Sequence, residues 1–148
     1  MTDELQLENH VCFQLYTGSR LMQRMYRPYF DEWGITYAQY LVLVCLWKED
    51  GQTIGQLSDP LDLDSGTLSP LLKRMEVHDL VTREHDPSDF RKVHFSLTRK
   101  GKALEAKAKA MRAEIRDQLG LDADDIAALH RIMAKINPSL TPSDEPAA

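Results

Sequence analysis

The chain is poor in several things, and each shortage narrows what it can be. It has only two cysteines in 148 residues, Cys12 and Cys45. They make no metal-ligand spacing. They could pair in principle, but a cytosolic chain keeps such thiols reduced. The sequence has no secretory signal pattern and no apolar run long enough to cross a bilayer, so a soluble, cytoplasmic protein with no membrane partner is expected. It also lacks a positive balance: the formal net charge is −5, and between positions 52 and 100 acidic residues slightly outnumber basic ones. Any nucleic-acid binding must therefore come from local placement of Lys73, Arg74, Arg83, Arg91 and Lys92, not from bulk charge. There is no internal repeat. None of the five histidines (His10, His78, His85, His94 and His130) sits at zinc spacing, and no metal or cofactor is expected. What remains is a globular composition at about the length of one domain, enough for a proper core.

The most informative stretch runs from Leu63 to Leu97. Asp64 and Ser65 carry side-chain oxygens suited to capping a helix. Leu68, Leu71, Leu72 and Met75 follow at i, i+3, i+4 and i+7, one apolar stripe of a helix. Ser65, Ser69 and Lys73 fall on another face, with Thr67, Pro70 and Arg74 beside them. Pro70 fits if the helix proper begins near Thr67, because an interior proline removes a backbone hydrogen bond. The period then changes from 3.6 to 2. Leu80 to Arg83 begin one strand, and Val93, Phe95 and Leu97 alternate with Lys92, His94 and Ser96 in a second. The turn-rich segment from His85 to Arg91 joins them, and His85 could face His94 across the hairpin. A helix followed by a basic-tipped hairpin is the pattern of a winged helix-turn-helix. Its helix would enter a major groove, and Arg91 would reach an adjacent minor groove. An ordinary α+β packing unit with a solvated hairpin is the alternative.

The rest of the chain reads as helices around this unit. Residues 1–8 are polar and read as frayed. A long helix is predicted from about Leu7 to Glu32, with Pro28 kinking it or starting a new turn. Its apolar residues occupy more than one face, which predicts burial on several sides. Gly34 suits the C-cap and Thr36 the next N-cap. A second helix follows from Tyr37 to Glu49, with a stripe of Tyr40, Leu41, Val44 and Trp47 and with Leu43 and Cys45 beside it. Thr53–Asp59 reads as a short third helix with Ile54 and Leu57 inward, and Pro60–Leu63 as the turn into the recognition helix. Thr98 caps a long helix to about Leu119. Asp122 caps a last one to about Ile136, its opening acidic residues matching the helix dipole. From Pro138 the composition is that of a disordered tail. The fold class is thus mainly α with a small β-hairpin wing. The first helix and the last two carry more apolar surface than a wing can cover, so a homodimer is expected. Residues 1–35 and 98–137 would be its dimerisation helices, 36–97 the DNA-binding region and 138–148 the tail. A symmetric dimer would match a pseudo-palindromic operator in double-stranded DNA.

These residues bring a family into view. The chain resembles the MarR-type winged-helix repressors over nearly its whole length, and more narrowly the organic-hydroperoxide-sensing OhrR branch. The resemblance lies in Leu7–Phe13, Tyr26-Arg27-Pro28, Gly34–Leu41 and Leu63–Glu76. The family's wing motif, Asp-Glu-Arg-Ser, stands here as Asp89-Phe90-Arg91-Lys92, keeping the acidic residue and the arginine. The resemblance implies that Cys12 is a peroxide sensor whose thiolate becomes a sulfenic acid. It also implies that Tyr26 and Tyr37 of the other subunit hydrogen-bond to it. Cys12 and Tyr26 lie 14 positions apart, about 21 Å along a helix axis, so they cannot touch within one straight helix but can if two copies pack antiparallel. Phenol donors and a helix N-terminus near the sulfur would stabilise a thiolate.

Some family members resolve the sulfenic acid with a second cysteine near the C-terminus. None is present here, and Cys45 reads as core packing. The resemblance is therefore to the single-cysteine type, which needs a low-molecular-weight thiol or further oxidation to complete the switch. The expected DNA contacts are Ser65, Thr67, Ser69, Lys73 and Arg74 on the helix, with Asp89 and Arg91 on the wing. Two other classes remain open. One is a MarR-type repressor released by a small aromatic ligand, with Cys12 structural. The other is a thiol peroxidase, for which no activating Thr/Arg set or resolving cysteine is present, so an enzyme is not expected.

Overall fold

The computed structural model describes residues 5–138. These fall into two compact units that divide between Met111 and Arg112. The tail expected from Pro138 onward lies, apart from Pro138, outside the described residues.

The first unit opens with a 3₁₀ turn at Leu7–Asn9 and then α1, Val11–Trp33. The single long helix expected from Leu7 is thus interrupted at His10, whose backbone is extended. Of residues 1–8, expected to be frayed, 1–4 lie outside the described residues; Leu7 and Glu8 belong to the turn, with the His10 amide donating to the Leu7 carbonyl and the Gln14 side chain to the Glu8 carbonyl. The interruption puts Cys12 in the first turn of α1. The helix then runs through Pro28 to Trp33 without starting anew. Gly34 ends it in the left-handed region, at φ 67°, where only glycine is free of a Cβ penalty.

Thr36 opens α2, Tyr37–Lys48, with a reciprocal capping box in which Thr36 Oγ1 accepts from the Gln39 amide and Gln39 Oε1 accepts from the Thr36 amide. The deeply buried row on α2 is Tyr40, Leu43 and Leu46, with Val42. Of the expected stripe only Tyr40 is buried, while Leu41, Val44 and Trp47 are intermediate. The helix is apolar nearly all round and packs against α1, α3, α4 and β3, so no single period could select its inner face. Gln52 finishes the helix from outside: its buried side chain donates to the Cys45 and Glu49 carbonyls, two of the acceptors a helix end leaves over.

A short strand missed by the alternation rule, β1 (Gln52–Thr53), precedes α3 (Ile54–Leu61). Thr53 caps α3 through a second reciprocal box with Gln56. Leu57 is fully buried and Ile54 half-buried. The expected turn at Pro60 comes later, because Pro60 sits inside the last turn of α3 and forfeits only one hydrogen bond there. Asp62, at φ 51°, makes the reversal. α4 is Ser65–Val77, with Asp64 Oδ1 accepting from the Thr67 amide at 2.7 Å. It starts two residues before Thr67, so Pro70 lies in its second turn and the helix tolerates it. Leu68, Leu71, Leu72 and Met75 are all buried, as the stripe requires.

β2 (Val81–His85) and β3 (Val93–Leu97) form the hairpin. The sheet has three antiparallel strands in the order β1-β3-β2, because Gln52 pairs with Phe95. Two residues are too few for alternation to register, which is why β1 escapes a reading by period. α5, Arg99–Leu119, starts at Thr98, whose Oγ1 accepts from the Gly101 amide and donates to the Asp79 carbonyl. Gly101 lies against Leu80, the residue before β2: a Cβ there would clash with the Leu80 carbonyl oxygen. The Gly101 carbonyl in turn accepts from the Trp47 indole.

The second unit takes the end of α5 and then α6, Ala123–Ile136. Gly120, at φ 63°, breaks the chain direction. Asp122 and Asp125 cap α6 reciprocally. No residue of α6 is buried.

Candidate functional site

The α4 stripe is turned into the core, so its opposite face must look outward. Ser65, Thr67, Ser69, Lys73 and Arg74 are all exposed. Between α3, α4 and the sheet lies an open cleft of about 890 Å³. Ser69, Lys73, Arg83, Arg91, Lys92 and His94 are among its lining residues. The structure therefore gathers Ser69, Lys73 and Arg91 on one concave surface. Ser65 and Thr67 stand at the N-terminal turn of α4, and neither they nor Arg74 nor Asp89 line the cleft. Although the chain is acidic overall, five of these six residues are Lys, Arg or His. This is the local concentration of basic groups that an anionic backbone requires.

The wing tip is built by carboxylates. Asp86 Oδ1 accepts from the Ser88 amide at 2.8 Å, from the Ser88 hydroxyl and from the Asp89 amide. These bonds, the Ser88 hydroxyl foremost, hold the Asp86 carboxyl well below the usual carboxylate range. Asp89 Oδ1 accepts from both the Arg91 amide and Arg91 Nε. Asp89 thus aims the Arg91 guanidinium, which stays 92% exposed. A carboxylate is a poor partner for phosphate, and this one is engaged by Arg91. Phe90, 75% exposed, stacks on His85 with ring centroids 4.0 Å apart. The expected meeting of His85 with His94 does not occur: His85 pairs in register with Val93, and His94 with Glu84. His94 instead reaches Asp86 and the Gly51 carbonyl. Sequence reading missed both contacts, because they cross from the sheet to a loop and to the end of α2, where no period signals proximity.

Cys12 is exposed in the first turn of α1. Tyr26 and Tyr37 come together at the other end of the helix, their rings edge to face at 5.5 Å. Phe30 and Tyr40 complete this aromatic cluster, which ties α1 to α2. Within one chain Cys12 stays a long stretch of helix away from both tyrosines. Cys45 differs from Cys12: it is half-buried on α2, and burial pushes its thiol above the ordinary range. That disfavours the nucleophilic thiolate and agrees with a packing role. Among the described residues no cluster of His, Cys, Asp and Glu could hold a metal ion, and no helix is long and apolar enough to cross a membrane.

A helical pair followed by a two-stranded wing, with a basic cleft between recognition helix and wing, defines a winged-helix DNA-binding regulator. The chain belongs to the MarR family, whose family model matches residues 35–93. It is 47% identical over 106 residues to the organic hydroperoxide resistance transcriptional regulator of Bacillus subtilis, covering 72% of each chain. It is 35% identical to the HTH-type transcriptional regulator MgrA of Staphylococcus aureus, covering 92% of this chain and 93% of that one. Among solved structures, reduced AbfR bound to DNA aligns with a TM-score of 0.76 at 34% identity, over 93% of this chain and 95% of that one. AbfR comes from Staphylococcus epidermidis. The protein is accordingly a transcriptional regulator of MarR type, a DNA-binding protein and not an enzyme.

Proposed function

We propose that this regulator is a homodimeric repressor that senses organic hydroperoxides through Cys12 and then releases a pseudo-palindromic operator. The observation that carries the reading is the disposition of α1: an exposed cysteine in its first turn and a tyrosine pair at its far end. Two such helices packed antiparallel bring each Cys12 to the Tyr26 and Tyr37 of the other copy. The exposed apolar side chains Val11, Leu15 and Leu21 of α1, and Ile126, Leu129 and Ile132 of α6, support a second copy as the natural cover. These helices, residues 1–35 and 98–137, are the dimerisation elements, and 36–97 is the DNA-binding region. The name of the Bacillus subtilis relative supports the hydroperoxide.

On DNA, Ser65, Thr67, Ser69, Lys73 and Arg74 face the major groove, and Arg91, aimed by Asp89, enters the minor groove. In oxidation, the Cys12 thiolate attacks the O–O bond and takes up OH as a sulfenic acid. The alkoxide leaves and is protonated by water to the alcohol. A low-molecular-weight thiol then condenses with the sulfenic acid, giving a mixed disulfide and water. The bulk of that adduct between the two copies separates the helices and spoils the spacing of the two α4 elements. A coupling of about 3 kcal/mol changes operator affinity more than a hundredfold.

The test is operator binding by wild type and Cys12→Ser, before and after a stoichiometric organic hydroperoxide, with reductant as the reversal. Release by the wild type alone is the expected result. If both proteins stay bound, Cys12 is not the sensor, and release by a small aromatic ligand becomes the better account.

A further inference from the structure

The wing contains a histidine that the reading above does not use. His94 lies on β3, facing the cleft, with Nδ1 3.0 Å from the Gly51 carbonyl oxygen and Nε2 3.0 Å from Asp86 Oδ2. Both partners are acceptors without a proton to give. A neutral imidazole has one N–H, so it can satisfy only one of them and must point a lone pair at the other. An imidazolium donates to both. The arrangement is thus complete only when His94 is charged. The Asp86 hydrogen bond, followed by that of Gly51, correspondingly raises the affinity of the ring for its proton above the ordinary histidine range.

The same Asp86 carboxylate uses its other oxygen to hold Ser88 and Asp89, and Asp89 aims Arg91. A continuous chain of hydrogen bonds therefore runs from Gly51, in the turn after α2, through His94 and Asp86, to the guanidinium at the wing tip. We propose that His94, as an imidazolium bridging Gly51 and Asp86, is a positioning residue that holds the wing turn in the shape presenting Arg91, and that operator binding weakens as His94 loses its proton. The proposal rests on the wing reading above, in which Arg91 contacts DNA.

The surrounding charges oppose each other. Glu84 is the cross-strand neighbour of His94 on β2, and α4 contributes Glu76 and Lys73 to the same cleft. Arg83, Arg91 and Lys92 add positive charge there, and Lys92 disfavours the imidazolium. Asp50, in the turn after α2, is committed to the Gly51 and Leu97 amides. Among the described residues Asp86 is the one carboxylate hydrogen-bonded to the ring, and it sets the sign. The His94 contribution is full below the ordinary histidine value of about 6.5 and is lost as pH rises through the higher folded-state value.

The test measures operator affinity of the reduced protein from about pH 6 to about pH 9 for wild type, His94→Gln, Arg91→Ala and the double variant. In parallel, the His94 ring and the Ser88 amide of the wild type are followed by NMR. Wild type should lose roughly tenfold in affinity across this range. His94→Gln should bind more weakly at low pH with a flatter profile. Neither effect should survive in the Arg91→Ala background, and the Ser88 amide should titrate with the His94 ring. Identical pH profiles for wild type and His94→Gln, or a Ser88 amide indifferent to the ring, overturn the proposal. If Arg91→Ala itself leaves affinity unchanged, the wing reading fails instead. The NMR readout needs no variant to fold.

Discussion

The winged region and the helices at the two ends of the chain are built from similar proportions of apolar residues but bury them very differently. In the winged region Leu43, Leu57, Leu68, Leu72, Met75 and Leu80 are essentially inaccessible. Along α6, Ile126, Leu129, Ile132 and Ile136 are all exposed, and α1 buries only Phe30 and Trp33, at its C-terminal end. The expectation that α1 would be buried on several sides is therefore not met within one chain. One region is complete as a single copy. In the other, α6 and most of α1 have the amphipathic pattern of packed helices without their cover, whereas α5 buries Leu104, Ala108 and Met111; under the dimer proposal the stability of α1 and α6 is a property of two chains and not of one.

The difference can be broken most sharply at Leu72. Truncation to alanine removes a fully buried side chain and should cost about 3–5 kcal/mol. The loss should appear in the unfolding midpoint at every protein concentration. Leu129→Ala, at a half-exposed position on α6, should instead act through association: a lower midpoint when dilute, restored by concentration, and a weaker dimer by sedimentation equilibrium. A Leu129→Ala effect independent of concentration would mean that α6 is covered by its own chain.

Gly101→Ala comes next. Its Cβ would strike the Leu80 carbonyl, a backbone atom that cannot turn aside, so a loss of about 1–3 kcal/mol is expected in denaturant unfolding. On the DNA-binding face the expected effects move from stability to affinity. Lys73→Ala, fully on the surface of the cleft, should leave the unfolding midpoint in place. It should weaken operator binding and reduce the slope of log affinity against log salt by about one. An unchanged slope removes Lys73 from the phosphate contacts. The smallest effect is expected at Asp122, whose carboxylate caps α6. Asp122→Ala should cost about 1 kcal/mol, read as loss of helical signal on heating.

Much of the winged region was legible because local rules and the fold agree there. The Asp64 cap, the Leu68–Met75 stripe, Gly34, Thr36, Thr98 and the Asp122 cap all announce themselves within a few residues. The Lys73 and Arg91 side chains could be assigned to one surface from the helix period and the hairpin turn. The buried face of α2 was not legible, because a helix surrounded by neighbours carries no polar side to mark its orientation. β1 was too short to show alternation. The pairing of His94 with Asp86, and the absence of a His85–His94 contact, depended on strand register, which shifts by whole residues without changing composition.

The sequence by itself determined the caps at Gly34, Thr36, Asp64 and Asp122, which stripe of α4 is buried, and which family the chain belongs to. Each of these is written in the spacing of residues within one turn or one strand. Only the tertiary structure decided that Asp89 serves Arg91, that Cys45 is half-buried while Cys12 is exposed, and that both nitrogens of His94 meet acceptors. These follow from contacts between segments far apart in the chain, and their distances are set by packing, which no local period encodes.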